Sequence, residues 1–270
     1  MTKPKLLSDP FFPDHADNRM VNEGGLDAAR EAYFDKTPSN LHALLEQRFA
    51  WMNAHLAGLG PVYEVGCGAG FSKAFIDHPD YHLTDVTLND WVDLEVDALN
   101  MPFADESVGA IVASHMIHHL ATPQVFFDEV RRVLKPGGRL VISEINTSLM
   151  MRLLLKTMRH EGYGYNIDVF DPEAVANRAE DPWSANCAVP ELLFEDETAF
   201  EARVDGFKII HNRLCECLLF PLSGGVIAKT RTINLPKRIL SFVRALDEGL
   251  VKLAPGVFAL GREVVIEKVH

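Results

Sequence analysis

Three alternating glycines carry the strongest chemical signal in this sequence. Residues 62–65 (VYEV) are mostly apolar and lead directly into Gly66, Gly68 and Gly70. Glycine tolerates positive φ and lets the backbone approach a ligand without a Cβ clash, and a helix that begins after the loop directs its N–H groups towards that ligand. The dinucleotide pattern G-x-G-x-x-G would need a glycine at position 71 or 73, and neither is glycine. The loop predicts a ligand site that differs from a dinucleotide site, with a chance strand-turn-helix as the alternative.

Two carboxylates follow the next two strand-like segments. Asp85 ends one apolar segment, and Asp97 with Ala98 follows the next. A carboxylate at the first position can accept hydrogen bonds from both ribose hydroxyls, and a carboxylate beside a backbone N–H can read the edge of adenine. Each aspartate alone would be an ordinary turn residue. Their placement at consecutive strand ends predicts an adenosine site.

Histidines and one glutamate follow the later strand-like segments. His118 and His119 come after an apolar stretch, Glu144 ends another, and His160 lies further along the chain. These side chains are candidates for proton transfer to or from a substrate, and packing or capping roles are the alternative. No ligand spacing typical of zinc appears among these histidines and His115. We therefore predict no metal site.

Composition limits the possible partners and compartments. Lys and Arg total 26 and Asp and Glu total 38 in 270 residues, so the net charge is −12. Nucleic-acid binding needs clustered cations, so a chain this acidic disfavours it. No apolar run approaches the roughly 18 residues of a membrane span, and the first residues lack a signal-peptide core. The four scattered cysteines indicate reduced thiols, and we expect a cytoplasmic protein.

Strand-like and helix-like segments alternate through the middle of the chain, which predicts an α/β fold with a doubly wound, mainly parallel sheet. Ligands of such sheets bind beyond the carboxyl ends of the strands, where the glycines, Asp85 and Asp97 fall. Thr122 is the predicted cap of the helix that follows it. The predicted strands span 62–65, 81–86, 94–96, 109–114 and 139–144, and the predicted helices span 41–58, 72–77 and 123–134.

The pattern changes after residue 146. A helical insert is predicted first, and a β-rich ending then completes the sheet with an antiparallel edge hairpin. The predicted helices here are 150–160 and 236–253, and the predicted strands are 207–220 and 258–269. We divide the chain into an N-terminal extension (1–58), a ligand-binding core (59–146), an acceptor-side insert (147–205) and a C-terminal part that completes the same domain (206–270).

Four stretches of the chain resemble the class I S-adenosylmethionine-dependent methyltransferases, especially the ubiquinone/menaquinone C-methyltransferase-like (type 11) branch. The resemblance covers roughly residues 61–144. Its most specific part is a helix that is followed by LKPGG and then by an apolar strand. The stretches are 64–70 (EVGCGAG), 97–107 (DALNMPFADES), 115–120 (HMIHHL) and 129–144 (EVRRVLKPGGRLVISE).

The resemblance implies a Rossmann-like, seven-stranded sheet and S-adenosylmethionine as the cofactor. By this resemblance Asp85 holds the ribose, and Asp97 with Ala98 holds the adenine. Ser114 and His115 line the far wall of the site. By the same resemblance, the methionine end of the cofactor is bound by Glu64, Gly66, Cys67, Gly68 and Gly70.

The chain departs from the family pattern between Asp85 and Asp97. The usual helix between the second and third strands is missing or reduced to a turn there, which opens one side of the adenosine pocket, and Trp91 is placed to cover it. A looser resemblance at 181–194 relates the chain to uncharacterised bacterial methyltransferases with the same short crossover, and it says little about the acceptor.

The insert and the C-terminal helix are expected to select the methyl acceptor. Arg152, Lys156 and Arg159 form a basic stripe at helical spacing, and six cations lie between Lys229 and Lys252. Solvated faces of core helices are one interpretation. A membrane surface, or a lipid-linked or glycan-linked acceptor, is the other. The aromatic residues predicted to line the acceptor pocket are Tyr163, Tyr165, Phe170 and Trp183.

The sequence predicts a methyltransferase that acts by in-line displacement on a small-molecule or lipid- or glycan-linked acceptor, and it leaves oligomeric state open. An enzyme with non-methyl chemistry at the same pocket, a nucleotide-cofactor oxidoreductase and a non-catalytic binding module remain alternatives, because a fold does not fix its function. The failed dinucleotide spacing counts against the oxidoreductase.

Overall fold

The computed structural model describes residues 9–13, 25–159, 161–178, 181, 184–227 and 232–269. Within these ranges the chain forms one seven-stranded sheet with helices on both faces. The α/β class and the mainly parallel sheet predicted from the sequence are confirmed. Within the same ranges, no helix is long and apolar enough to cross a membrane.

The sheet has the order β3-β2-β1-β4-β5-β7-β6. Strands β1 to β5 pair in parallel, and β7 lies antiparallel between β5 and β6. The predicted antiparallel hairpin at the C-terminal edge is thereby confirmed. The strands are β1 (Val62–Val65), β2 (Tyr81–Asp85), β3 (Leu94–Glu95), β4 (Val108–Ser114), β5 (Leu134–Ile145), β6 (Phe207–Cys215) and β7 (Gly261–Lys268).

Strand β1 is the point where the strand order reverses, because its neighbours are β2 on one side and β4 on the other. The crossovers on the two sides leave in opposite directions, so a crevice opens beyond the carboxyl ends of β1 and β4. The glycine loop follows β1, and His115 follows β4. The topology therefore brings both predicted segments to one edge of the sheet.

Helices cover both faces of the sheet. Successive side chains of β4 alternate between the two cores, with Ile111 in one and Ala110 and Val112 in the other, as the two-residue period of a strand requires. The helices are α1 (Gly25–Lys36), α2 (Ser39–Phe49), α3 (Asn53–Leu56), α4 (Pro123–Val133), α5 (Leu149–Met158), α6 (Val189–Phe194), α7 (Glu197–Arg203), α8 (Leu219–Ser223), α9 (Lys237–Leu253) and α10 (Pro255–Phe258).

Two local predictions were wrong. The segment after the glycine loop is a single 3-10 turn, Phe71–Ala74, and not a helix to Asp77. Strand β6 ends at Cys215, because Glu216 adopts a positive φ of 56° and its carboxylate pairs with the buried Arg48 guanidinium at 2.8 Å. At β6 a tertiary contact overrides the local pattern. Thr122 is the N-cap of α4, as predicted, but its side chain makes no capping hydrogen bond.

The insert between β5 and β6 is helical, as predicted, although the sequence predicted only its first helix, α5, and not α6 or α7. A buried polar network fixes the insert to the end of β5. The Tyr165 hydroxyl donates to Glu191 Oε2 at 2.5 Å and accepts from Arg152 Nη2 at 2.8 Å. Arg152 Nε also donates to the carbonyl of Thr147 at 2.8 Å. Arg152 is only 5% exposed. The predicted basic stripe is therefore wrong at this position, because Arg152 bonds inward and cannot face a lipid surface.

Candidate functional site

The glycine loop has the backbone geometry that the sequence predicted. Gly66, Gly68 and Gly70 have φ values of 68°, 52° and 65°, a region that L side chains rarely adopt. A Cβ on Gly66 would lie 2.4 Å from Cγ of Met116, and one on Gly70 would lie 2.9 Å from Cδ1 of Trp91. The positive φ values and the close packing of Met116 and Trp91 therefore both favour glycine in this loop.

Asp85 fastens the glycine loop to the end of β2. Its Oδ2 accepts the Gly68 N–H at 2.8 Å, and its Oδ1 accepts the Thr87 N–H at 3.1 Å. The carbonyl of Asp85 accepts from the N–H of Val96 at 2.9 Å, and Asp97 follows Val96 directly. The structure thus brings the two predicted adenosine carboxylates to adjacent strand ends beside the loop.

Asp97 is exposed, whereas Ala98 is half-buried. Oδ1 of Asp97 accepts the N–H of Leu99 at 2.8 Å, and its carbonyl accepts the N–H of Asn100 at 3.0 Å. This short turn holds the Asp97 carboxylate at the surface. An exposed carboxylate in a fixed position can accept a hydrogen bond from a ligand amine, so the adenine role stays a prediction that the geometry permits.

Two side chains from elsewhere hold the carbonyl groups of the loop. Trp91 Nε1 donates to the carbonyl of Gly68 at 2.8 Å, which puts Trp91 over the loop where the shortened crossover leaves room. Arg30 Nη1 donates to the carbonyl of Ala69 at 2.7 Å, and its guanidinium lies 4.8 Å from the Trp91 ring centroid. Nothing in the sequence of α1 indicates that Arg30 contacts the glycine loop.

Glu64 lies behind the loop. Its Oε2 accepts hydrogen bonds from the Ser72 hydroxyl and, at 2.9 Å, from the Tyr81 hydroxyl. Burial raises the pKa of Glu64 to about 7, and these two hydrogen bonds oppose the rise. Burial likewise raises the pKa of the Cys67 thiol well above its usual value. Glu64 therefore ties the base of the loop to β2.

The end of β4 carries Ser114 and His115, the predicted far wall. Both side chains are half-buried. His115 has a positive φ of 51°, and its N–H donates to the carbonyl of Ser143 at 2.8 Å. A histidine in this backbone region is strained, and such residues cluster at functional sites. Burial, followed by the nearby Arg48 and His118, lowers the pKa of His115 well below its usual value, so its ring is neutral.

His118 and Glu144 form a buried pair across the ends of β4 and β5. Nδ1 of His118 lies 2.6 Å from Oε2 of Glu144, whose Oε1 also accepts the N–H of Ile117 at 2.6 Å. Burial disfavours the imidazolium of His118, but the Glu144 carboxylate outweighs it and raises the pKa to about 10. Two of the predicted catalytic residues are thus in direct contact.

His119 and Glu161 complete this cluster. Nδ1 of His119 lies 3.1 Å from the carbonyl of Ser184, and its Nε2 lies 3.8 Å from Oε1 of Glu161. Oε2 of Glu161 lies 3.8 Å from Nε2 of His118. Burial, together with the charge of His118, lowers the pKa of His119 to about 4, so this ring is neutral. Glu161 belongs to the insert, and no spacing in the sequence links it to the histidines.

Other predicted site residues lie elsewhere or outside the described ranges. His160 and Trp183 are outside the described residues. Tyr163 is fully buried in the core of the insert. Tyr165 and Phe170 border a surface groove of about 420 Å³ that Leu192 and Arg203 also line. The prediction of an aromatic acceptor pocket is thus wrong for Tyr163.

The fold and the loop define a Rossmann-like α/β protein with a ligand site at the switch point of the sheet. Within this protein, residues 63–142 match the family model described as a methyltransferase domain. The match spans the glycine loop, both aspartates and the histidine pair. It confirms the predicted resemblance to the methyltransferases over these residues.

Curated relatives match parts of the chain. A demethylmenaquinone methyltransferase of Clavibacter sepedonicus is 43% identical over 54 residues, which is 20% of this chain and 22% of the relative. A ubiquinone biosynthesis O-methyltransferase of Xylella fastidiosa (strain M23) is 28% identical over 132 residues, which is 42% of this chain and 54% of the relative. The chain therefore spans about half the length of these relatives or less.

Solved structures resemble the chain more broadly and more distantly. A SAM-dependent methyltransferase from Archaeoglobus fulgidus has a TM-score of 0.48 and 18% identity, and the match covers 83% of this chain and 93% of that one. A geranyl diphosphate C-methyltransferase from Streptomyces coelicolor A3(2) has a TM-score of 0.47 and 16% identity, with 84% and 80% covered.

Proposed function

We propose that this chain transfers a methyl group from S-adenosylmethionine to a small-molecule or lipid-linked acceptor held beyond the carboxyl ends of β4 and β5. One observation carries the proposal. Met116 packs against Gly66 of the cofactor loop, and only two residues later His118 joins the buried pair with Glu144. Cofactor cradle and polar cluster therefore share one edge of the sheet.

The residues of the cradle fit the cofactor. Gly66, Gly68 and Gly70 all adopt positive φ, a backbone conformation whose N–H groups can form a concave site for a polar ligand. Asp85 and Asp97 supply carboxylates for the ribose and the adenine, and Ser114 and His115 border the side nearest β4. When bound, the cofactor supplies an electrophilic methyl group on a sulfonium.

The chain contributes orientation and proton handling. Methyl transfer needs an acceptor atom held in line at about 3 Å and shielded from water. Glu144 and Glu161 surround His118 with negative charge, which favours a positive charge at this point. Because the pKa of His118 is raised to about 10, its ring is already protonated at neutral pH, and the neutral ring of His119 is the group of this cluster that can accept the proton an oxygen or nitrogen acceptor loses.

Helix α9 supports an acceptor that resides in or on a lipid surface. Ile239, Phe242 and Leu246 are exposed on one face of this helix, and Phe242 is 68% exposed. Exposed Lys237 and Arg238 lie at its N-terminal end. An apolar stripe flanked by cations matches an anionic bilayer surface in shape and charge. The names of the matched relatives, which specify demethylmenaquinone and ubiquinone biosynthesis, agree with an apolar acceptor.

Calorimetry with S-adenosylhomocysteine tests the cofactor site, and mass spectrometry of cell extract incubated with the protein and deuterated-methyl S-adenosylmethionine tests transfer. We expect saturable binding and at least one product that carries the heavy methyl group. Folded protein that produces no binding heat would exclude the proposal. Binding without any labelled product would instead indicate a non-catalytic binding module.

A further inference from the structure

The pair His118 and His119 and the insert residue Glu161 bring three metal-ligating atoms together. The two imidazoles and the carboxylate each offer one atom, and these atoms lie within 4.8 Å of one another. Each histidine faces one oxygen of the Glu161 carboxylate, with Oε2 at 3.8 Å from Nε2 of His118 and Oε1 at 3.8 Å from Nε2 of His119. We propose that this cluster is a divalent metal site of the zinc class.

The distances suit such an ion. Zinc bonds to imidazole nitrogen and carboxylate oxygen measure about 2.0–2.2 Å and are arranged tetrahedrally, so neighbouring ligand atoms lie about 3.4 Å apart. The two 3.8 Å separations are about 0.4 Å longer than this. Small rotations of the three side chains would bring their ligand atoms to bonding distance of one ion. Two histidines and one glutamate leave a fourth position open, as catalytic zinc sites do.

Each histidine is already oriented by a bond from its other ring nitrogen. Nδ1 of His118 is bonded to the Glu144 carboxylate at 2.6 Å, and Nδ1 of His119 is bonded to the Ser184 carbonyl at 3.1 Å. Metal-binding histidines almost always donate their second nitrogen to a carboxylate or a carbonyl, which fixes the tautomer and the ring direction. Both Nε2 atoms are thereby presented to Glu161.

The supporting residues are themselves held in place. Glu144 accepts the N–H groups of Ile117 and Ile145 at 2.6 and 3.0 Å, and it is fully buried. The thiol of the buried Cys187 donates to Oε2 of Glu161 at 3.3 Å. Packing and hydrogen bonds therefore fix the ligands from behind, a condition for a site held to within a fraction of an ångström.

The site refines the acceptor class, and this part rests on the proposed function. A divalent ion polarises an oxygen bound at its open position and lowers the pKa of a hydroxyl there. The O–H bond breaks first and its proton leaves to solvent, because His119 is then a ligand of the ion and no longer a free base. An O–CH3 bond then forms while the S–CH3 bond breaks and its electron pair stays on sulfur. A phenolic or enolic hydroxyl is the acceptor chemistry that this arrangement favours.

Titration of chelator-treated full-length protein with Co²⁺, followed by displacement with Zn²⁺, tests the site directly. We expect one Co²⁺ per chain with the visible absorption of a low-coordinate ion. His119→Gln and Glu161→Gln should each weaken binding roughly 100-fold or more, because loss of an outer-shell partner alone costs about 10–100-fold. His82→Gln is the matched control, since His82 pairs with Asp80 at an exposed position away from the cluster. No binding by the wild type, or unchanged binding by both ligand variants, overturns the proposal.

Zinc-edge X-ray absorption of the loaded wild type needs no variant, and it keeps the proposal testable if a ligand variant does not fold. Two imidazoles in the coordination shell are expected, and any other number overturns the assignment. Calorimetry with S-adenosylhomocysteine separates the two proposals. If S-adenosylhomocysteine gives binding heat but no metal binds, only the metal-site proposal is refuted. If metal binds but S-adenosylhomocysteine gives no binding heat, only the methyl-transfer proposal is refuted.

Discussion

Nδ1 of His118 lies 2.6 Å from Oε2 of Glu144, and the two side chains are 2% and 0% exposed. This contact joins the ends of β4 and β5 at the centre of the candidate site. A buried charge whose partner is removed is strongly unfavourable, because water cannot replace the lost interaction. The pair therefore stabilises the fold as well as orienting His118.

Glu144→Gln should lower the free energy of unfolding by about 3 kcal/mol. The amide places a donor where His118 needs an acceptor, while the neighbouring backbone N–H groups still require their oxygens. Urea unfolding followed by circular dichroism measures the change. The control is Glu248→Gln, an exposed i,i+4 partner of Lys252, which should stay within about 0.5 kcal/mol of wild type. Equal effects in the two variants would contradict the buried role of Glu144.

Gly66→Ala should abolish measurable binding of S-adenosylhomocysteine and destabilise the protein by more than about 1 kcal/mol, the usual cost of strained backbone. The methyl group would meet Met116 at 2.4 Å on a backbone with φ of 68°. Calorimetry and thermal unfolding check the two effects. Gly249→Ala lies in α9 with open space around it and should be neutral or stabilising. Normal ligand binding by Gly66→Ala would refute the cradle.

Asp97→Ala should weaken binding of S-adenosylhomocysteine by about tenfold, the effect of one lost hydrogen bond of about 1.4 kcal/mol. Because Asp97 is exposed, we expect little change in the unfolding midpoint. Asp77→Ala is the control, since Asp77 is also exposed but precedes β2 at the opposite edge of the sheet. Unchanged affinity in Asp97→Ala would mean that the adenine binds elsewhere.

Glu64 should make the protein less stable as the pH rises from about 4.5 to 7. The folded-state pKa is about 7 and the reference value is 4.5, so the unfolded state ionises first over this range. Stability is full below pH 4.5 and falls until the pH passes the folded pKa, in total by about 3 kcal/mol at about 1.4 kcal/mol per pKa unit. Unfolding free energies of wild type and Glu64→Gln between pH 4.5 and 8 measure the difference.

Glu64→Gln keeps an oxygen for Ser72 and Tyr81 but cannot ionise. Its stability should therefore fall less with rising pH than that of wild type. Glu248→Gln should instead follow the wild-type curve, because its carboxylate is exposed. Parallel curves for wild type and Glu64→Gln would show that this carboxyl does not titrate differently in the two states.

Helix α9 should bind anionic vesicles through its exposed apolar face. Phe242→Ser with Leu246→Ser should remove most of the vesicle-bound fraction in a flotation assay, because both side chains would otherwise enter the bilayer boundary. Added salt should weaken wild-type binding, since Lys237 and Arg238 contribute about 1 kcal/mol each near such a surface. Val175→Ser, which changes an exposed apolar residue outside α9, is the control. If added salt or the double substitution leaves the vesicle-bound fraction unchanged, α9 is not the membrane-binding surface.

Local patterns in the sequence were enough to predict the order of strands, the glycine loop and the two aspartates. Strand alternation, glycine spacing and the residues at strand ends depend on neighbours along the chain, and parallel strands bring their carboxyl ends to one edge. The sequence therefore predicts that His118, His119 and Glu144 lie near the loop. Even the turn around Trp91 followed from the short distance in sequence between Asp85 and Asp97.

Only the tertiary structure joined Glu161 to the histidine pair, set Arg30 on the loop and turned Arg152 inward. These contacts join segments far apart in sequence, and no local period encodes which way a polar side chain will bond. Arg152 fits a basic stripe by spacing alone, but Tyr165 and the carbonyl of Thr147 accept its hydrogen bonds in the interior. A buried polar group must find a partner, and the folded chain decides which partner lies within reach.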